Sequence, residues 1–164
     1  MVGGPDDALA TAMPLFDVMG GRTVHCGPAG NGQAAKICNN MILGATMAVT
    51  CEAFALADKL GLDRQAMYDV VSTSSGQSWS LTTYCPAPGV GPQSPADNGY
   101  KPGFAAELML KDLGLALQAA EAVDAPTPVG TEALHQYTVF VEQEDGRGKD
   151  FSALLPRLAG RGRN

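Results

Sequence analysis

Hydrophobic residues recur at helical spacing along most of the chain. The longest such segment, Gln33 to Leu60, is apolar on nearly every face, and a helix without a polar face is expected to be buried on all sides. Further helices are predicted for Arg64 to Ser72, Phe104 to Val123, Thr127 to Glu142, and a short segment capped by Asp150. The pattern predicts a mainly α fold, with a second subunit covering part of the long helix.

A different pattern precedes the long helix. Residues 6–19 predict a helix that begins with Pro5 and two aspartates and ends at Gly20-Gly21. Short strands are predicted at residues 1–2 and 23–26, which makes a β-α-β fragment. Two short strands do not form a stable sheet by themselves. We therefore expect the chain to begin partway through an α/β domain.

Two polar segments separate the predicted helices. The stretch STSSGQSWSLTTY predicts a loop with one short helical turn. The stretch CPAPGVGPQSPADNGYKPG is rich in proline and glycine, and we expect it to lack regular structure. Long structureless connections in compact domains are often functional.

Composition narrows the class of protein. The 164 residues are 45% hydrophobic and 17% charged, which is typical of one globular domain. A net charge of −6 argues against a nucleic-acid partner, and the basic stretch RLAGRGRN is interpreted as a frayed C terminus. Four cysteines without a CxxC pair and two histidines predict no metal site and a reducing, cytoplasmic location. No signal peptide is recognised, and the uncharged stretch from Ile37 to Cys51 is short for a membrane span of about 20 residues.

The glycine-rich stretch Gly27-x-x-Gly30-x-Gly32 lies between a predicted strand and the long helix. A phosphate-binding turn occupies this kind of position. The order differs from the dinucleotide fingerprint G-x-G-x-x-G, and no acidic residue follows at the usual distance. The alternative is a tight link in which glycines permit close approach of the backbone, and this alternative is favoured.

Lys36 and Asn40 are four residues apart, which places them on one face of the long helix. Apolar neighbours and the positive helix N-terminus both disfavour the charged ammonium, so the pKa of Lys36 is expected to fall. A lowered lysine pKa suits a general acid or base. The alternative is a lysine that extends to solvent, and the pattern alone favours it. Lys111 likewise lies on a stripe with Glu107 that is typical of a solvated, ion-paired face. From pattern alone, the chain is a helical dimerisation-type domain.

Several blocks occur together in an order that resembles the β-hydroxyacid dehydrogenase family. They are GPAGNGQAAKICNN, SSGQSWS, PAPGV, GYKPGF and LMLKDLGLA. The resemblance runs from Met1 to about Leu158. It implies a Rossmann domain followed by an all-helical domain, and oxidation of a β-hydroxy acid with NAD, or NADP in some members.

The resemblance also implies roles for individual residues. Lys36 stands at the position of the catalytic lysine that takes the hydroxyl proton, and Asn40 at that of a substrate-binding asparagine. Trp79 and Tyr84 resemble residues that line the substrate pocket. For the cofactor, the residues implied are Lys111, Asp112 and Phe104.

The family's cofactor fingerprint has no counterpart in this chain. We therefore expect residues 1–29 to be a remnant of an NAD-binding Rossmann domain and residues 30–160 to be an all-helical substrate and dimerisation domain. The parent protein would be a homodimer or homotetramer acting on a small β-hydroxy acid. Two alternatives remain: the chain by itself is an inactive helical dimerisation domain, or it belongs to a related glyoxylate-type reductase.

Overall fold

A computed structural model describes residues 1–160, and this part of the chain is mainly helical. Within it, seven α-helices follow one another: α1 (Asp6–Met19), α2 (Asn31–Leu60), α3 (Arg64–Ser72), α4 (Trp79–Thr82), α5 (Ala106–Ala122), α6 (Pro128–Gln143) and α7 (Leu154–Gly160). Two 3-10 turns lie at Pro95–Asn98 and Phe151–Ala153. The predicted mainly α fold is confirmed, and each predicted helix lies within three residues of its expected bounds.

The chain divides into two compact units, Met1–Asn40 and Met41–Asn164, and the long helix α2 contributes to both. In the first unit, α1 forms although Pro14 lies within it. Its acidic first turn, Asp6 and Asp7, suits the positive end of a helix. The predicted domain boundary between residues 29 and 30 stays a prediction.

The two strands of the predicted β-α-β fragment are reduced to a single bridge on either side of α1. Val2 and His25 form one isolated parallel bridge, in which the Val2 amide donates to Val24 O (2.9 Å) and the Cys26 amide donates to Val2 O (2.7 Å). Apart from isolated bridges, residues 1–160 contain no strand. So short a pairing gains little without neighbouring strands, and it remains a bridge rather than a sheet.

The core of the second unit forms where α2 crosses α5. Met47, Cys51 and Phe54 of α2 are completely buried. A side chain on Gly44 would place its Cβ 2.9 Å from Met109 Sδ and 3.0 Å from a Leu113 methyl carbon, so a glycine allows the two helices to approach. The remaining core comes from the other helices of this unit and the segments that join them, and includes Met67, Leu81, Cys85, Ala106, Tyr137, Phe140, Val141, Phe151, Leu154 and Leu155.

The prediction that α2 is buried on all sides is wrong within a single chain. Ile42, Val49 and Leu56 are each more than half exposed. They recur every seven residues and therefore lie along one face of the helix. By length and composition α2 is apolar enough to cross a membrane, a test that core helices of soluble proteins also pass.

The proline- and glycine-rich segment lacks regular structure as predicted, apart from the 3-10 turn Pro95–Asn98, and side-chain hydrogen bonds hold it in place. Asp97 accepts hydrogen bonds from the amides of Gly89 (2.6 Å) and Ser94 (2.8 Å). Ser94 caps the 3-10 turn Pro95–Asn98 and donates its hydroxyl to Cys85 O (2.7 Å). Short-range side-chain to backbone bonds of this kind stabilise turns without a helix or sheet.

The interpretation of the C-terminal basic stretch as frayed is wrong for residues 157–160, which belong to α7. The Arg157 guanidinium pairs with Glu144 and donates a hydrogen bond to Gln136 Oε1 (3.0 Å). Residues 161–164 of that stretch lie outside the described residues.

Candidate active site

The first unit carries Lys36 and Asn40 on α2, one helical turn apart as predicted. Lys36 is exposed to solvent, so the expected desolvation of its ammonium is absent from this chain by itself. The reason is the small size of the unit, since Gly32 is the one buried residue in residues 1–40. Asn40 is half-buried and accepts a hydrogen bond at Oδ1 from Asn39 Nδ2 (3.0 Å).

The glycine-rich turn before α2 packs against the start of the chain. A Cβ on Gly32 would lie 2.9 Å from Gly3 N and 3.1 Å from Met1 O, so only glycine permits this approach. Gly27 and Gly30 have φ values of 96° and 94°, which side chains rarely adopt. The turn therefore uses its glycines as a tight link, which was the favoured alternative.

In the second unit, three predicted site residues belong to one column of aromatic rings. Trp79 stacks on Tyr84 with ring centroids 5.1 Å apart and an interplanar angle of 24°. Tyr84 in turn lies 5.3 Å from Phe151, and Phe104 meets Phe151 edge-on at 5.6 Å. The column runs from Trp79, which is half exposed, to Phe151, which is buried. Offset and edge-on pairs at these distances stabilise an aromatic cluster beyond simple burial.

A buried carboxylate anchors this column. Asp150 Oδ2 accepts hydrogen bonds from the Tyr84 hydroxyl (2.8 Å) and from the amides of Gly103 and Phe104 (both 3.0 Å). Asp150 Oδ1 accepts from the Ser152 amide (3.0 Å) and hydroxyl (2.6 Å). Burial raises the pKa of Tyr84, and the hydrogen bond to Asp150 raises this pKa further. Tyr84 therefore stays a neutral donor to Asp150 near neutral pH.

Lys111 and Asp112 lie on α5 and pair with each other. Lys111 Nζ is 3.0 Å from Asp112 Oδ1, with the lysine exposed and the aspartate buried. The alternative in which Lys111 pairs with Glu107 is not found, and Glu107 Oε2 accepts from the Gly148 amide (3.2 Å) instead. The exposed ammonium leaves Lys111 able to meet an anionic group of a ligand.

The seven predicted site residues are divided between the units. Lys36 and Asn40 lie in the first, and the other five lie in the second. Two residues that join the aromatic group, Asp150 and Phe151, were not predicted as site residues. Asp150 was predicted only as a helix cap, which is confirmed at the 3-10 turn Phe151–Ala153. Its bond to Tyr84 spans 66 residues, and no local pattern reports a contact over that distance.

Two predicted site residues of the second unit, Lys111 and Trp79, are accessible to a ligand. An exposed ammonium at Lys111 and a half-exposed indole at Trp79 suit a group that is charged or planar. The pyrophosphate normally binds a glycine-rich turn at a helix N-terminus. In this chain the Gly32 position of that turn is filled by the backbone of Gly3 and Met1.

The fold is mainly helical, and its longest helix carries a lysine and an asparagine one turn apart. These features are the ones expected of the helical part of a β-hydroxyacid dehydrogenase. A family model described as "NAD-binding of NADP-dependent 3-hydroxyisobutyrate dehydrogenase" matches residues 30–158. The chain therefore belongs to the 3-hydroxyisobutyrate dehydrogenase family, and the resemblance found in the sequence is confirmed.

Individual relatives agree with this assignment. The chain is 47% identical to a 3-hydroxyisobutyrate dehydrogenase of Pseudomonas aeruginosa over 162 residues, which are 98% of the chain and 54% of that protein. It is 45% identical to an NAD-dependent L-serine dehydrogenase of the same organism, over 94% of the chain and 51% of that protein. The chain thus spans about half the length of the curated relatives that it matches.

Solved structures show the same fold. The structure of Mycobacterium tuberculosis 3-hydroxyisobutyrate dehydrogenase with L-serine matches with a TM-score of 0.92 at 47% identity, covering 96% of this chain and 54% of that chain. A 3-hydroxyisobutyrate dehydrogenase of Salmonella typhimurium matches with a TM-score of 0.76 at 26% identity, covering 94% and 52%.

Proposed function

We propose that this chain is the helical part of an NAD-dependent 3-hydroxyisobutyrate dehydrogenase. The enzyme would oxidise 3-hydroxyisobutyrate to methylmalonate semialdehyde, a step of valine breakdown. The observation that carries the proposal is 47% identity, over nearly the whole chain, to relatives that bear this name. NADP is the alternative cofactor, since the description of the matching family model names both dinucleotides.

In this proposal, Lys36 and Asn40 act on the hydroxyl group of the substrate. The dinucleotide, when bound, accepts the hydride from the carbon that carries the hydroxyl. Lys36 would take the hydroxyl proton at its Nζ atom, and the Asn40 amide would orient the same oxygen. Their spacing on α2 supports this division, because side chains four residues apart on one helix can reach one atom. For the cofactor, Lys111, Asp112 and Phe104 are the proposed contacts.

Trp79 and Tyr84 are proposed to line the substrate pocket. The Tyr84 hydroxyl already donates to Asp150, so Tyr84 would contribute its ring rather than its hydroxyl. An apolar wall of this kind suits the methyl-bearing carbon of 3-hydroxyisobutyrate. L-serine is a second candidate substrate, because a relative that is 45% identical is an NAD-dependent L-serine dehydrogenase.

A kinetic comparison tests this proposal. In the enzyme that contains this chain, Lys36→Ala should lower kcat by about 100-fold or more, as expected for loss of a general acid or base. Lys59→Ala is the matched control, because Lys59 is an exposed lysine in the last turn of the same helix. Reduction of NAD would be followed with 3-hydroxyisobutyrate and L-serine as competing substrates. Near-normal turnover of the Lys36 variant would reject the role of this lysine, and no turnover of either substrate by the wild type would reject the activity.

The proposed assembly is a homodimer or homotetramer formed through the helical unit. The exposed row of Ile42, Val49 and Leu56 on α2 supports it, since contiguous exposed apolar surface marks interaction sites. We also propose a cytoplasmic location, which the four free cysteines support. Recovery of the protein in a membrane or secreted fraction of its cell would contradict that location.

A further inference from the structure

Asp150, which anchors the aromatic column, accepts more hydrogen bonds than a helix cap requires. A cap of the 3-10 turn Phe151–Ala153 needs one carboxylate oxygen, and Asp150 Oδ1 fills that need through Ser152. Oδ2 is turned the other way, toward three donors from two distant segments of the chain. Capping alone gives no reason for this second set of bonds.

Asp150 acts as an acceptor in all five of these hydrogen bonds, and its side chain is completely buried. A carboxylate is the side chain that offers only acceptors, with about four lone-pair positions on its two oxygens. Removing a buried acceptor leaves donors unsatisfied, which costs more than the bond itself gains. The position therefore demands a carboxylate or a group that can imitate it.

The effect of the Oδ2 contacts is to hold the ring of Tyr84 in place. Asp150 draws the Tyr84 hydroxyl from one side. Gly103 also packs against this hydroxyl, because a Cβ on that glycine would lie 2.6 Å from the Tyr84 hydroxyl oxygen. Tyr84 is in turn the ring on which the half-exposed Trp79 stacks. A series of contacts thus runs from the Asp150 carboxylate through the Tyr84 ring to the indole of Trp79.

We propose that Asp150 is a positioning residue of the substrate pocket: its carboxylate fixes the ring of Tyr84 and, through that ring, the face that Trp79 presents to the apolar part of a β-hydroxy acid. The inference rests on the proposed function for the nature of the ligand. The positioning itself rests only on the contacts within the second unit.

The test uses two tyrosines, Tyr84 which is half-buried and Tyr137 which is buried, whose hydroxyls donate to different acceptors. Tyr84→Phe removes one bond to Asp150 and keeps the ring that stacks on Trp79. Tyr137→Phe is the matched control, because its buried hydroxyl donates to Phe151 O (3.1 Å) and its ring takes no part in the column. Trp79 is the only tryptophan of the chain, so its fluorescence reports on this site alone.

We expect the two variants to lose similar thermal stability but to differ at the site. Tyr84→Phe should increase quenching of Trp79 fluorescence by acrylamide, measured on the 164-residue chain without substrate. In the enzyme that contains the chain, it should raise KM about 5- to 10-fold with kcat within about 2-fold, as for the loss of one ordinary intramolecular hydrogen bond. Tyr137→Phe should leave quenching and KM at wild-type values. Equal quenching in both variants would overturn the proposal.

Variants of the anchor itself supply a rescue test. Asp150→Asn keeps one oxygen that can face Tyr84, while its NH2 group can donate to the Ser152 hydroxyl. Asp150→Leu has a similar shape and no acceptor. We expect Trp79 quenching close to wild type in the first and clearly increased in the second. If the leucine variant does not fold, the Tyr84 and Tyr137 pair still decides the question.

The fluorescence result separates this inference from the proposed function. Increased quenching in Tyr84→Phe, together with no turnover of any β-hydroxy acid by the wild type, would support the positioning and reject the substrate. Unchanged quenching and unchanged KM in an active enzyme would reject the positioning and leave the proposed activity standing.

Discussion

The ion pair between Asp58 and Arg64 joins the end of α2 to the start of α3. It is bidentate, with Arg64 Nε 2.8 Å from Asp58 Oδ1 and an Arg64 terminal nitrogen 2.6 Å from Asp58 Oδ2. Between the two helices, Gly61 adopts a φ of 75° that allows the chain to turn. The hydrogen bonds to Arg64, and then its charge, hold the pKa of Asp58 below the usual value of 3.8.

This pair makes stability depend on pH in a defined direction. A carboxyl whose pKa is lowered by folding contributes stability above its unfolded pKa, and this contribution is lost as pH falls through the folded value. Asp58→Asn should therefore lower the free energy of unfolding at pH 7 by less than about 1 kcal/mol, since both side chains are partly exposed to solvent. The loss should vanish near pH 2, at roughly full protonation.

Urea unfolding at the two pH values checks this expectation. Glu121→Gln is the control, because Glu121 is exposed and no hydrogen bond or ion pair of its side chain is found within residues 1–160. An equal loss for Asp58→Asn at both pH values would mean that the pair does not contribute through its charge.

The sequence predicted the positions of single residues better than their burial or their distant contacts. The spacing of Lys36 and Asn40 was readable because helical periodicity is local. The solvent exposure of Lys36 could not be predicted from the sequence, because burial depends on how much structure surrounds a helix face. The sequence predicted Asp150 as a helix cap. It did not predict the hydrogen bonds of Asp150 to Tyr84 and Gly103, since these partners are distant in sequence.

Among the helices, α2 and α5 pack tightly against each other at Gly44, so a substitution at this position tests their packing. An alanine there would gain about 1 kcal/mol of helix propensity over glycine. Its methyl carbon would also meet Met109 and Leu113, which are completely buried and would have to shift. Overpacking a core costs about 1–3 kcal/mol, so we expect a net loss of stability for Gly44→Ala.

Gly114→Ala in α5 supplies the opposite case. A Cβ at Gly114 would meet nothing within 4 Å, so only the gain in helix propensity applies. Chemical denaturation should show lower stability for Gly44→Ala and higher stability for Gly114→Ala. A gain for both would mean that the two helices can separate without cost.

Among the secondary-structure elements, the helices were predicted well and the strands were not. Strong apolar periodicity placed α3, α5 and α6 within two residues of their observed bounds. The strands predicted at residues 1–2 and 23–26 pair only as one parallel bridge, because a longer strand needs neighbouring strands that these residues do not have. Composition predicted the lack of regular structure in the proline-rich segment, but it did not reveal the specific hydrogen bonds by which Asp97 and Ser94 hold that segment in place.

For the molecule as a whole, the exposed row on α2 predicts self-association. Val49 lies in the middle of this row and is 58% exposed. Val49→Glu should convert the proposed dimer to a monomer, because a charge buried in an apolar interface without a partner is strongly unfavourable. Light scattering after size-exclusion chromatography gives the mass directly.

The control for this experiment is Val70→Glu on α3, where the valine is 63% exposed and lies off the row. It should leave the mass of the assembly unchanged. A wild-type chain that is monomeric at micromolar concentration would contradict the proposed dimer without any variant.

The hydrogen bonds of Asp150 also have a consequence for the chain as it is synthesised. Tyr84 leaves the ribosome 66 residues before the carboxylate that holds it, which is about 3–13 s at ordinary rates of translation. During that interval the Tyr84 ring has no anchor, and its indole neighbour has no fixed support. The wall of the proposed pocket is therefore among the parts of this unit that are completed late, however early its aromatic residues are made.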